Sequence, residues 1–148
     1  MPPPTDLPSL PFYSVHYEAN PPLLFGVNPR ALSPEEVTEA CELLLDQARR
    51  HGCPYWLLDG RLNGSEQPRE LHEWMQEEYF PRVRTELGRM PSIAFLVTPQ
   101  VWAGLPTRGY DEPGNWQSRA ARMAWFTDDA PALDWLRQQR QLAAAGPR

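Results

Sequence analysis

The sequence predicts an α/β protein: a single domain in which a mixed sheet of about five strands is flanked by helices. The runs "YWLLD", "SIAFLV" and "MAWF" are continuously apolar, as are parallel strands covered on both faces. Helical patterns precede the first run, separate it from the second and follow the third. A chain of 148 residues suits one domain with its own core.

The first strand, "FYSVHYE", alternates between apolar and polar residues. Tyr13, Val15 and Tyr17 fall on one side and polar residues on the other, as in a half-buried strand. A second short strand, "LLFGV", follows an "NPP" turn. The pair therefore predicts an antiparallel hairpin.

The first helix carries its own start and stop signals. In "SPEE", Ser33 can cap the helix, Pro34 suits the first turn and Glu36 completes a capping box. Gly52 supplies the stop. The predicted buried stripe comprises Val37, Ala40, Cys41, Leu44, Leu45 and Ala48.

Two further helices complete the order of elements. The second runs from residue 68 to residue 87, and Pro81 should kink or restart it because proline lacks the backbone donor. Its predicted buried residues are Leu71, Trp74, Met75, Phe80 and Val83. Asp128 or Asp129 caps the last helix, in which Leu133 and Leu136 face inward. Right-handed crossovers between parallel strands predict helices on both faces of the sheet.

The two ends of the chain differ from its body because they lack apolar periodicity. We expect residues 1–11 to form a flexible proline-rich arm, residues 12–141 the α/β domain and residues 142–148 a flexible tail.

Composition narrows the classes of function. The net charge of −5 argues against nucleic acid as a partner. All 14 basic residues are arginine, which excludes mechanisms that need a lysine amine. The sequence shows no signal peptide and no membrane span, so we expect a cytoplasmic protein.

The cysteine and histidine patterns predict neither a cofactor nor a metal. Cys41 and Cys53 form no disulfide framework or metal motif, and we interpret both as reduced thiols. His16, His51 and His72 lack ligand spacing and fall on different elements.

The candidate site lies where the parallel strands end. Ligands of open α/β sheets bind outside the carboxyl ends of the strands. That edge collects Asp59, Gly60 and Arg61, then Thr98, then Thr127. Three interpretations stay open. Asp59 caps a turn that Arg61 braces, with Gly60 as a turn position that tolerates positive φ; Arg61 offers donors to an anion; or Asp59 acts as a general base.

A long connection, residues 104–118, is expected to have little regular structure. Loops of this length are often lids or binding arms. Its Arg108, Tyr110 and Trp116 are residue types favoured at interfaces and in ligand lids. The alternative is a surface loop whose Trp116 packs over the core.

Four phrases in this order resemble SpoIIAA-like members of the STAS superfamily, in particular its bacterial members: "YWLLDGR", "LHEWMQEEYFPRV", "SIAFLVTPQVWA" and "AWFTDDAPALDWL". The resemblance spans roughly residues 12 to 140. It implies a regulatory protein-interaction module and not a catalyst. In the anti-sigma-factor antagonists of that superfamily a serine after the third strand is phosphorylated; here Gly60 and Arg61 follow Asp59, and the nearest hydroxyl is Ser65.

The expected function is therefore a non-enzymatic STAS-like regulatory module that contacts an unknown protein partner, with a homodimer as one form of that contact. The alternative is a protein that binds an apolar or anionic metabolite at the strand ends. No cofactor is expected for either function.

Overall fold

The computed structural model describes residues 9–62, 68–108, 116–117 and 120–144. In these residues a mixed sheet is flanked by helices, which confirms the predicted α/β class. The strands are β1 (Ser9–Leu10), β2 (Tyr13–Ala19), β3 (Pro22–Val27), β4 (Tyr55–Asp59), β5 (Ser92–Leu96), β6 (Trp116–Gln117) and β7 (Arg122–Phe126). The helices are α1 (Pro34–His51), α2 (Arg69–Trp74), α3 (Phe80–Leu87), α4 (Pro99–Gly104) and α5 (Asp129–Ala144).

The strand order is β1-β2-β3-β4-β5-β7-β6. Strands β2 and β3 form the predicted antiparallel hairpin, and β3, β4, β5 and β7 run parallel. The two-residue strands β1 and β6 add to the edges as antiparallel neighbours of β2 and β7. The sheet therefore consists of the five expected strands with a short extra strand at each edge.

The connection at residues 104–118 is more regular than predicted. The six-residue helix α4 ends at Gly104, a 3-10 turn spans Leu105–Arg108, and β6 begins at Trp116. The expectation of little regular structure was therefore wrong for these parts of the connection.

Helix α1 begins and ends as its sequence predicts. Glu36 N donates to Ser33 Oγ at 3.2 Å and Ser33 N donates to Glu36 Oε1 at 3.0 Å, which completes the capping box. Gly52 ends the helix in the left-handed conformation, with φ of 61°. The predicted stripe is buried except for Val37, which is half-buried.

The predicted second helix is interrupted where Pro81 requires it. Between α2 and α3, residues Met75–Tyr79 form a wide π-helical turn, and Phe80 N donates to Met75 O. Pro81 cannot donate to a carbonyl of the preceding turn, so the regular bonding pattern fails there. Tyr79, which the sequence did not single out, is buried on this turn, and its Oη donates to Cys41 O at 2.6 Å.

Helices cover both faces of the sheet, as predicted. On one face, Gln76 of the π-helical turn contacts Met123, and Tyr79 joins the same turn to α1. On the opposite face, the ring of Trp135 in α5 lies 6.2 Å from that of Phe126. Because the parallel strands follow one another in sequence order, their crossover helices share a face, and α5 covers the other.

One expectation for α5 was wrong. Leu136 is fully buried, but Leu133 is exposed. The buried residues of this helix are instead Ala132, Trp135, Leu136 and Gln139. The buried face is offset from the predicted one, because Trp135 and not Leu133 packs against the sheet.

Candidate functional site

The candidate site is the carboxyl edge of the sheet, which we define as the last residues of β3, β4, β5 and β7 and the residues that follow them. Val27 pairs with Asp59, Asp59 with Leu96, and Leu96 with Phe126 in parallel register. Val97 N donates to Phe126 O at 2.9 Å and continues the bonding past the strand ends. The predicted common edge is therefore present.

Asp59 and Arg61 pair with each other at this edge. Asp59 Oδ1 accepts from the backbone N of Arg61 at 3.1 Å, which closes the turn after β4. The guanidinium Nε and Nη2 donate to Oδ1 and Oδ2 at 3.1 and 2.8 Å. This two-pronged pairing is the geometry in which arginine binds carboxylates most strongly. It matches the interpretation in which Asp59 caps a turn and Arg61 braces it.

The same guanidinium reaches a second carboxylate. Arg61 Nη1 lies 2.9 Å from Oδ1 of Asp129, the first residue of α5. Arg61 thus joins the end of β4 to the start of the helix that covers the opposite face from α1. From the sequence, Asp129 is only one of two candidate caps of the last helix, and its contact with Arg61 is not predicted.

The ionisation of Asp59 follows from its surroundings. Burial acts to raise its pKa, but the hydrogen bonds from Arg61 outweigh that effect, and the pKa lies below its ordinary value. The pKa of Arg61 is raised, above all by its hydrogen bonds to Asp59. A carboxylate with a lowered pKa is a weak proton acceptor, so this pairing disfavours Asp59 as a general base.

Gly60 lies in the turn after β4 without using the positive φ that glycine tolerates. The glycines with positive φ among the described residues are Gly52 and Gly88. Gly60 N donates to Leu96 O at 2.9 Å, and a Cβ on Gly60 would meet that oxygen at an ordinary 3.6 Å. The bracing of this turn therefore comes from Asp59 and Arg61 and not from a glycine conformation.

The two threonines lie at the edge, but only Thr98 has an assigned role. Thr98 Oγ1 accepts from Val101 N at 3.3 Å and caps α4. Thr127 follows β7 and is half-buried.

Four other predicted residues are described in part or not at all. Ser65 and Tyr110 lie outside the described residues, so their proposed roles stay predictions. The backbone of Arg108 ends the 3-10 turn and that of Trp116 forms β6, while their side chains lie outside the described part.

Most exposed large apolar side chains of the described residues lie at the carboxyl edge or on elements that leave it. Among the described residues five large apolar side chains are exposed, and four belong to this edge or to the elements that leave it: Val27, Leu62, Trp102 and Leu133. Trp102 is held by a hydrogen bond of 3.1 Å from its Nε1 to Trp125 O. Leu133 lies one turn after Asp129, on the same side of α5. Sequence reasoning missed this group because exposure depends on which elements pack together.

A concave feature lies away from this edge. It is an open cleft of about 360 Å³ between the first turns of α1 and α2, lined by Pro34, Glu35, Thr38, Pro68, Glu70, Leu71 and Trp74.

Both cysteines are buried, and one histidine packs on an aromatic ring. Cys41 and Cys53 are free and buried, and burial raises the pKa of Cys41 to about 12, so its reactive thiolate form is suppressed. His51 stacks on Tyr17 at 3.9 Å between ring centres. The described part of the chain holds no cluster of three or more histidine, cysteine or acidic residues that suits a metal ion.

Comparisons with protein-family models, with curated proteins and with solved structures gave no match to this chain. Within the described ranges, every helix is too short or too polar to span a bilayer.

Proposed function

We propose that this chain is a non-enzymatic, STAS-like regulatory module that binds a protein partner, or a second copy of itself, through the carboxyl edge of its sheet. The observation that carries the proposal concerns the exposed large apolar side chains of the described residues. Most of them lie at the edge where Asp59, Arg61 and Asp129 pair or on the elements that leave it. Clustered exposed apolar groups are typical of interaction surfaces, and tryptophan and arginine are frequent anchors there.

The internal pairing of Arg61 also favours contact with a protein over capture of an anion. Nε, Nη1 and Nη2 of Arg61 already donate to carboxylates. Two of its five N–H groups are left, but two carboxylates already flank the single cation, so an anionic metabolite would meet net negative charge there. A protein surface can instead cover the apolar groups and leave the ion pairs in place.

The second candidate function is binding of an apolar metabolite at the same edge. The half-buried Thr127 and the ring of Trp102 are groups that such a ligand would contact. A metabolite that binds there would raise the melting temperature by mass action, whereas a partner protein would give a complex of larger mass.

The experiment compares Leu62→Ser with Leu142→Ser. Both leucines are exposed to the same degree, 63% and 64%, but Leu142 lies near the far end of α5. We expect Leu62→Ser to weaken binding of a partner, or self-association, by about tenfold, since lost apolar contact at an interface anchor costs more than 1 kcal/mol. Leu142→Ser should bind as the unsubstituted protein does.

The measurements are light scattering on size-exclusion fractions over a range of concentrations and quantitative capture with each variant as bait. Retention of one protein by the unsubstituted chain and by Leu142→Ser, but not by Leu62→Ser, supports the proposal. A monomer at every concentration, with no protein retained differentially and a metabolite that raises the melting temperature, would overturn it.

A further inference from the structure

We infer that the α1–α2 cleft, lined by the residues named above, is a second docking site. Its occupant is an extended segment of a partner protein that presents an arginine or lysine next to an apolar residue. This inference is independent of the carboxyl edge, since no residue of the cleft belongs to that edge.

The base and walls of the cleft are apolar. Leu71 is buried, Trp74 is half-buried, and Pro34 and Pro68 are exposed on the two sides. An apolar side chain placed there would leave water, which is favourable in proportion to the area covered. The aromatic ring of Trp74 also offers a face to a cation.

The cleft is formed before any partner binds. The ring of Trp74 stacks on that of Tyr79 at 5.5 Å, and Tyr79 is itself anchored to Cys41 O of α1. The capping box of Ser33 and Glu36 fixes the start of α1 on the other side. A site whose side chains are already held loses less conformational entropy on binding.

The acidic side chains of the cleft favour a segment with positive charge. Glu35 and Glu70 line the cleft from different helices, and among the described residues neither forms an ion pair. The neighbouring Glu36 differs, because Arg30 donates to both of its carboxylate oxygens at 3.0 and 2.9 Å. Among the described residues the cleft therefore carries two carboxylates without an ion-pair partner beside an apolar floor, which complements a cationic, partly apolar segment.

The open shape favours a peptide segment over a small molecule. Small-molecule sites bury most of the surface of their ligand. Here Pro34, Glu35, Pro68 and Glu70 are all exposed, so the cleft is not enclosed. A segment held by its own protein can insert one side chain and leave the remainder in solvent.

The test uses the full chain with fluorotryptophan in place of its six tryptophans, observed by fluorine NMR. Trp74→Phe assigns the signal of Trp74. The probe is the peptide acetyl-Gly-Leu-Arg-Gly-amide. We expect saturable movement of the Trp74 signal with this peptide, and binding that is at least about threefold weaker when glutamate replaces its arginine or glycine replaces its leucine.

Two charge variants of the protein complete the test. Glu35→Gln/Glu70→Gln should weaken binding by about threefold or more, and Glu77→Gln/Glu78→Gln, which alters exposed acids outside the cleft, should change it by less than about twofold. If the first variant fails to fold, raising the ionic strength from about 0.05 to about 0.5 M should weaken binding to the unsubstituted protein.

A Trp74 signal that does not move, equal binding of the glutamate peptide, or binding that is indifferent to salt overturns the inference. Leu62→Ser should bind the peptide normally. Loss of partner binding at the carboxyl edge and loss of peptide binding in the cleft are therefore distinguishable outcomes.

Discussion

Arg61 Nη1 donates to Asp129 Oδ1 at 2.9 Å and so joins the turn that follows β4 to the first turn of α5. The same guanidinium is paired with Asp59 through Nε and Nη2. One side chain thus holds together two elements that the sequence places far apart.

Arg61→Ala should lower the free energy of unfolding by about 1 kcal/mol, because a partly buried, multiply bonded ion pair is lost while both carboxylates remain. Urea unfolding at neutral pH measures the change. Arg137→Ala is the matched control: Arg137 also pairs with a carboxylate, Asp134, but the two lie on one exposed helix surface, and a smaller loss is expected. Equal losses for the two variants would show that Arg61 does not link β4 to α5 energetically.

Gly26→Ala should destabilise the protein by roughly 1–3 kcal/mol, the usual range for overpacking. A Cβ on Gly26 would lie 2.2 Å from Oη and 2.9 Å from Cζ of Tyr13, and Tyr13 is buried beside it. Tyr13→Phe removes the oxygen but leaves Cζ. Gly26→Ala should therefore cost less stability in a protein that already carries Tyr13→Phe than in the unsubstituted protein.

Gly60→Ala is the control for that comparison. Among the described residues a Cβ on Gly60 would meet only Leu96 O, at 3.6 Å, so the effect of Gly60→Ala on the urea midpoint should be small. Purely additive effects of Gly26→Ala and Tyr13→Phe would contradict the proposed clash.

Glu36 should give stability a specific dependence on pH. Its hydrogen bonds from Arg30, followed by that from Ser33, lower its pKa from 4.5 to about 2. The stabilising contribution is therefore complete above about pH 5 and is lost as the pH falls from 4.5 through 2.

The measurement compares Glu36→Gln with the unsubstituted protein by chemical denaturation. The difference in free energy of unfolding should be constant at neutral pH and shrink as the pH falls toward 2, because protonated glutamate resembles glutamine. Glu77→Gln, at an exposed site without an ion pair among the described residues, serves as the control. A difference that does not vary with pH would rule out the depressed pKa.

The sequence allowed the local parts of the site to be predicted. Asp59 and Arg61 are two residues apart on a nearly extended chain, which puts their side chains on the same side. The parallel order of β4, β5 and β7 followed from their continuous apolar runs. These signals depend only on near neighbours in the chain.

What the sequence did not disclose depends on how distant elements pack. The contact of Asp129 with Arg61 needs the position of α5 over the sheet, and the exposure of Leu133 needs the rotation of that helix. In the same way, Trp102 lies on a short helix that Thr98 caps, where the sequence pattern predicted no helix.

The position of α5 also affects the order in which the sheet can be covered during translation. The strands from β2 to β5 line up in the order of their synthesis, so each new strand finds its neighbour already in place. Among the described residues, the surface of β4, β5 and β7 that packs on α5 is covered by the last helix to be synthesised. During translation, this apolar surface should therefore lack its helical cover until residues 129–144 have been made.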